Sequence, residues 1–353
     1  MTMFNRIVPY STSIMLLPLF LSFLVNVVLS TARAGEPLKV AIIGTDTSHA
    51  IAFTTLMNSE NAIGPLADVQ VVVAYPGGSS DIPSSRDRVM DFSKQLAEAG
   101  IAIVDSPEEA VADVDAILLE SVDGRAHLDQ FRRIAMGKPV FIDKPAAASV
   151  ADFLEIMRIA EETNTPFFSS SALRFCPEVD LVTKSNKTGN VLGAATSTPF
   201  QLEPHHPDLF WYGIHGIEAL SALLGPGCET VARHDSKIGA LIVGCWSDGR
   251  QGATWALSTK GAVYSFTVYG DKTVASKTGF SGYDNLVNEI CKFFVSRIPP
   301  ISPRITLEIL AIMEAADESR DQEGIPISIS SIINRARKKN LDDPNTITSA
   351  PTK

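Results

Sequence analysis

Apolar residues fall into three patterns along the chain. Residues 13–30 form a long apolar run broken at Pro18. Short apolar runs then alternate with stretches of helical period up to residue 169. The runs at 38–43, 68–75, 101–104, 115–120, 139–142 and 166–169 have little polar alternation, as expected of strands buried on both faces of a parallel sheet. Helices are expected between them, at 50–58, 86–99, 126–136 and 149–163, and Ser106-Pro107-Glu108-Glu109 has the chemistry of a helix start. Such alternation predicts a doubly wound sheet with right-handed crossovers. After Pro177 strand follows strand, at 191–198, 230–234, 240–247, 253–258 and 263–269, with turn residues such as Asp248-Gly249 and Lys260-Gly261 between several of them. Consecutive strands with tight turns predict an antiparallel sheet. Further helices are expected at 213–224, 285–296 and 305–319. From Arg335 the sequence is basic and then polar, and a disordered tail is expected.

Composition narrows the function classes. The formal charge is −10 over 353 residues. The first 34 residues hold Arg6, Arg33 and no acid, so the remainder carries about −12. An acidic surface argues against nucleic acid and against anionic membrane as partners. Arg6, the apolar run and the small-x-small sequence Ala32-Arg33-Ala34 predict a signal peptide over 1–34, cleaved near Gly35. An exported protein, periplasmic or extracellular, with no membrane span after cleavage is the expectation; an uncleaved anchor is the alternative. Cys176, Cys228, Cys245 and Cys291 match no zinc or redox spacing. One or two disulfides, or four buried thiols, both fit.

Chemistry concentrates in Pro139-Val140-Phe141-Ile142-Asp143-Lys144-Pro145. A buried strand here is stopped by a proline, which neither donates a ladder hydrogen bond nor continues a central strand. Lys144 is thereby held at the carboxyl end of a parallel strand, where open α/β sheets bind ligands. A solvated lysine at a strand end is the plainer alternative.

Several separated segments together resemble the Gfo/Idh/MocA oxidoreductases, over roughly residues 39–328. Ala41-Ile42-Ile43-Gly44 opens the first strand-turn-helix. His127, followed by AMGKPVFIDKP at 135–145, resembles the family's His and its A-x-x-G-K-x-V-x-x-E-K-P. Arg174-Phe175-Cys176-Pro177 resembles R-F-x-P, and GIHGIE at 213–218, ending in Leu223-Leu224-Gly225, resembles G-x-H-x-x-D…L-L-G. Glu314-Ala315-Ala316 through Ser319 resembles a late E-A-A…S helix. The resemblance implies an α/β fold: an N-terminal Rossmann doubly wound parallel sheet over 35–170, a C-terminal α/β domain with an open antiparallel sheet over 171–332, and a polar tail at 333–353. It implies homo-oligomers through the C-terminal sheet. It also implies hydride transfer between NAD or NADP and a carbon of a sugar or polyol-like substrate. Lys144 would then lie near nicotinamide and substrate, with His215 as acid/base on the hydroxyl. The cofactor would meet Gly44, Thr45, Thr47, Ser48, His127 and Lys144. Because free NAD is scarce outside the cytoplasm, a retained cofactor suits an exported member.

The chain departs from that pattern at several positions. A dinucleotide fingerprint wants G-x-G-x-x-G, and here Gly44-Thr45-Asp46-Thr47-Ser48-His49 keeps only the first glycine. Asp46 would bring a negative charge near a pyrophosphate, and His49 stands where a glycine allows close helix–strand packing. Tyr75-Pro76-Gly77-Gly78 replaces the acid that holds the ribose, leaving Ser79, Ser80 and Arg86 as candidates for a 2′-phosphate. Val122-Asp123-Gly124 stands where T-P-N is common, and Trp211 where an Asp often precedes the catalytic His. Two other classes therefore stay open. His205, His206, Asp208, His215 and Glu218 lie within fourteen positions and are candidates for a divalent metal, although no H-x-x-x-H or H-E-x-x-H spacing occurs and none is assigned. Phe210, Trp211 and Tyr212 suit stacking on a sugar in a non-redox binding protein, or simply a core.

Overall fold

The computed structural model of the chain describes residues 35–183 and 187–342. The expected signal segment at 1–34 and the end of the tail, 343–353, lie outside the described residues. In the first half the elements are β1 (Leu38–Ile43), α1 (Ser48–Met57), β2 (Val69–Tyr75), α2 (Pro83–Glu98), β3 (Ala102–Ile103), α3 (Pro107–Val111), β4 (Ala116–Leu119), α4 (Gly124–Ile134), β5 (Val140–Ile142), α5 (Val150–Glu162) and β6 (Phe167–Ser169). The strands form one sheet in the order β3-β2-β1-β4-β5-β6, and every pair is parallel. β4, β5, β6 and residues 40–43 of β1 are buried on both faces as expected, whereas β2 is partly buried and the edge strand β3 is exposed. Val40, Ile42, Leu118 and Phe141 pack to one side with α1, while Ala41, Ile43, Leu119, Val140 and Ile142 pack to the other with α4 and α5. Period-two alternation assigns the residues to the two faces although both are apolar.

The second half runs α6 (Pro177–Thr183), β7 (Val191–Pro199), α7 (Asp208–Trp211), α8 (Ile214–Leu224), β8 (Cys228–Ser236), β9 (Gly239–Trp246), β10 (Gln251–Leu257), β11 (Ser265–Gly270), β12 (Val274–Thr278), α9 (Asp284–Ser296), α10 (Pro303–Asp321), β13 (Ile327–Ser328) and α11 (Ile329–Asp342). Its sheet has the order β12-β11-β7-β10-β9-β8-β13. The sheet is mixed rather than antiparallel throughout, because β7 pairs parallel with β10. The excursion through α7 and α8 returns the chain to the other edge of the growing sheet, which reverses that one pairing. β12 was missed by periodicity because almost all of its residues are exposed.

Two elements cross the expected boundaries. Helix α9 follows the strands of the second sheet but covers the first: Leu286, Val287, Ile290, Phe293 and Phe294 join the cluster of Val40, Phe53, Phe141 and Phe168. The Phe168 and Phe293 rings meet edge to face at 5.1 Å. The tail expected to be disordered from Arg335 is helical through Asp342. Ile329, Ile332 and Ala336 form a buried stripe beneath a polar composition, and Asn340 Nδ2 donates to Ala151 O at 2.8 Å. An amphipathic stripe with only three apolar positions is hard to see in so polar a segment. All four cysteines are free. No helix among the described residues is long and apolar enough to cross a membrane.

Gly44 ends β1 with φ +93°, and a Cβ there would lie 2.5 Å from the Ser121 backbone nitrogen. Gly44→Ala is therefore expected to cost about 1–3 kcal/mol from positive φ alone, read as a fall in the urea midpoint. Wild-type stability of the variant would refute the close approach of the β1 and β4 ends.

Candidate active site

In the order β3-β2-β1-β4-β5-β6 the connections reverse direction between β1 and β4. Ligands of such sheets bind outside the carboxyl ends of the strands at that point. A cleft of about 350 Å³ opens there. One wall comes from the β1–α1 turn (Thr47, Ser48, His49) and from Lys144 after β5. The opposite wall carries His215 from α8, together with Trp211, Tyr212 and Tyr264. Lys144 and His215, 71 positions apart in sequence, thus face one space.

His215 is held by one ring nitrogen: Nδ1 and Ser171 Oγ are 2.7 Å apart. Tyr212 and Tyr264 flank the ring edge-on at 5.6 and 5.8 Å. Burial, and then the Lys144 charge, hold its pKa well below the usual imidazole value. The imidazole is therefore neutral at pH 7. When Nδ1–H donates to Ser171, Nε2 keeps the lone pair that a general base needs. Ser171→Ala is expected to lower turnover about tenfold, since it frees the ring and its tautomer while leaving His215 in place, a modest share of the 10²–10⁴-fold available to acid–base catalysis. A kcat unchanged in Ser171→Ala would show that the bond positions nothing.

The remaining expected residues separate into two groups. Thr47 and Ser48 line the cleft, and Thr47 Oγ1 caps α1 by accepting from His49 N at 3.3 Å. Thr45 turns inward instead, its Oγ1 2.8 Å from Ser93 Oγ. His127 is fully buried, with Nε2 at 2.7 Å from Ser121 O and Nδ1 at 2.9 Å from Pro145 O. It braces the loop after β4 against the Lys144–Pro145 turn, so it shapes the site from behind. Phe210 is core, whereas Trp211 and Tyr212 reach the cleft. Arg86 is exposed and bonded to Asp87, and Ser79 donates to Asp123; neither lines the cleft, but Arg88 does.

Asp46 does not face the cleft as a bare charge. It is buried and accepts from Ser85 Oγ at 2.6 Å and Val122 N at 3.1 Å, and burial pushes its pKa up to about 6. His49 does not crowd the helix–sheet contact either. Ala50 is the fully buried residue there, and His49 rotates into the cleft. Its Nδ1 lies 2.8 Å from Asp143 Oδ2, and its ring stacks on Phe53 at 5.3 Å. A histidine–carboxylate pair thus exists in the site, built from His49 and Asp143 rather than around His215. Burial would raise Asp143, but His49, Lys144 and the Lys144 N–H keep it ionised. Beside it, Glu120 is fully buried, and burial, followed by the Asp143 charge, pushes its carboxyl well up. A polar residue ending the apolar run of β4 is the one local signal that could have pointed to Glu120; nothing local indicated that it meets His49 and Asp143.

The metal-ligand set considered from sequence does not assemble. His205 meets Glu203, Asp208 meets Arg233 and Arg320, and Glu218 meets Arg174 and Ser170. His206 packs against Trp211 with Nε2 3.7 Å from Asp123.

No protein-family model matches the sequence, and no curated protein matches it. Solved structures do match the fold. A myo-inositol dehydrogenase from Lactobacillus casei, in complex with NAD(H) and myo-inositol, is 14% identical with a TM-score of 0.64 over 83% of this chain and 96% of its own. A scyllo-inositol dehydrogenase from the same organism, with bound NAD(H) and scyllo-inositol, is 14% identical with a TM-score of 0.66 over 84% and 100%. A protein described as an NADPH-dependent oxidoreductase from Desulfitobacterium hafniense is 18% identical with a TM-score of 0.67 over 85% and 99%. At these identities the likeness establishes the architecture: a Rossmann-type parallel sheet joined to a second, mixed sheet, as in these dehydrogenases.

Proposed function

We propose that this protein is an exported NAD(P)-dependent oxidoreductase acting on a sugar or polyol-like substrate. The observation that carries the reading is the convergence of Lys144 and a neutral His215 on one cleft at the strand-order reversal. The residues present fit a dinucleotide on two counts. The α1 N-terminus opens onto the cleft through Thr47 and Ser48, as a pyrophosphate requires, and the Asp46 carboxylate is turned away and hydrogen-bonded. Thr47, Ser48 and Lys144 would hold it, and Arg88 at the rim suits an added phosphate. A bound nicotinamide would supply the hydride acceptor. His215 Nε2 takes the proton of the substrate hydroxyl, and the Lys144 ammonium steadies the alkoxide. Trp211, Tyr212 and Tyr264 present ring surface suited to a sugar face. Exposed Leu192, Trp255 and Tyr269 on the second sheet support self-association through it.

The test is a nicotinamide spectrum of the denatured, purified protein, with thermal shifts against NAD(H) and NADP(H). Saturation at 100 times the dissociation constant should add about 2.7 kcal/mol of stability. No released nicotinamide and no shift would end the dehydrogenase reading.

A further inference from the structure

We propose that His49, Glu120 and Asp143 form a binding site for one divalent metal ion at the base of the cleft. One donor atom of each lies within 4.8 Å of the others; Glu120 and Asp143 are fully buried and His49, in the cleft wall, is partly so. The fold brings them together by register. β4 and β5 pair parallel with Leu119 opposite Ile142, so the next residues, Glu120 and Asp143, emerge side by side. Their backbones are tied down by Glu120 N to Ile43 O at 2.7 Å and Asp143 N to Leu119 O at 2.8 Å. β1 flanks β4 on the other side, and the first turn of α1 delivers His49.

A second observation points to a ligand. Glu120 is 0% exposed, yet neither of its carboxylate oxygens has a hydrogen-bond partner among the described residues. Buried carboxyl groups ordinarily find donors. Asp143 is ionised and accepts from the Lys144 N–H and pairs with His49, so it has no hydrogen to donate to Glu120. A dication would displace the Glu120 proton, and Glu120 and Asp143 would then offer two hard anionic oxygen donors. With one imidazole added, the set suits zinc, manganese, iron(II) or cobalt(II), and not a soft thiophilic ion. Ligation through Nδ1 exchanges the His49–Asp143 hydrogen bond for a shared ion. Because His49 lines the cleft, the ion is reached from the substrate side. Its remaining positions would take water or substrate oxygens, as three-ligand metal sites do. This site is independent of a nicotinamide cofactor, and its test does not use turnover.

Chain stripped with EDTA is titrated with Co²⁺, read by its visible d–d bands, and with Mn²⁺, read by paramagnetic resonance. Bound metal in the unstripped protein is measured by mass spectrometry. One ion per chain is expected. Glu120→Gln, nearly isosteric at a side chain without partners, should weaken binding by roughly 100-fold or more, beyond the 10–100-fold typical of groups that only orient a ligand. His49→Gln, at the cleft edge, should do the same and serves if Glu120→Gln does not fold. Glu203→Gln, a cleft acid outside the trio, should leave metal binding unchanged. The absence of metal binding at millimolar Co²⁺ and Mn²⁺ would overturn the site. Equal binding by wild type, Glu120→Gln and His49→Gln would overturn it as well.

Discussion

Replacing His215 by Ala is expected to lower kcat/KM on a sugar or polyol substrate by about 10²–10⁴-fold, the range for a positioned acid–base group. Lys144→Met should cost about 10²–10³-fold, as for loss of one preorganised group facing developing charge. The two variants differ in how they respond to pH. Burial first and Lys144 second lower the His215 pKa, so the wild-type acid limb should fall below the ordinary imidazole value of about 6.5. A base must be unprotonated, so activity is lost as pH drops through that limb. Removing the Lys144 charge should move the limb upward, because one of the forces disfavouring imidazolium is gone. His215→Ala should abolish the limb. A limb that stays put in Lys144→Met would separate the two residues; one that survives in His215→Ala would assign the base elsewhere, with His49 the next candidate.

Arg233→Met is expected to destabilise the protein by about 3–5 kcal/mol, the range for removing one partner from a buried ion cluster. Arg233 is 1% exposed. Its guanidinium reaches Asp235 and Asp317 at 2.6 Å and Asp208 at 3.0 Å, and lies 5.7 Å from the Phe200 ring centroid. The three carboxylates come from β8, α10 and α7, so one side chain ties three elements. Its loss leaves like charges facing one another with no buried counter-ion. Arg320 also reaches Asp208 at 2.6 Å but is only partly buried and cannot replace it. The readout is the urea midpoint at unchanged m-value. Because α7 ends at Trp211, binding in the cleft should weaken too. By contrast, the Arg158–Glu162 pair on α5 is solvent-exposed enough that its removal should cost at most about 1 kcal/mol. A loss below 1 kcal/mol in Arg233→Met would mean that the cluster is screened by water despite its burial.

The parallel sheet was legible because its central strands, β1, β4 and β5, are buried on both faces, which leaves nearly uninterrupted apolar runs. Lys144 was legible for a related reason: a proline after such a run can only mean its end. The second sheet was legible strand by strand but not in its pairing. The parallel contact of β7 with β10 depends on where α7 and α8 return the chain, and no local pattern encodes that. Helix α11 was missed because three apolar positions suffice when the partner surface on α5 already exists. His127, matched by motif, proved to be a brace behind the site, since a motif gives the order of residues and not the direction of a ring.

Local periodicity by itself determined most of the strands and helices, the strand end that holds Lys144, and the helix that holds His215, because each depends on neighbours within a few residues. Tertiary structure alone decided that Ala50 and not His49 meets the sheet, that Asp46 turns inward, that α9 covers the first sheet, and that Glu120 emerges beside Asp143. Those outcomes rest on strand register and helix rotation, which are set by packing between segments tens of residues apart. The cleft is therefore the part of this protein least visible in its sequence: its lining is gathered from segments scattered from the β1–α1 turn to Tyr283.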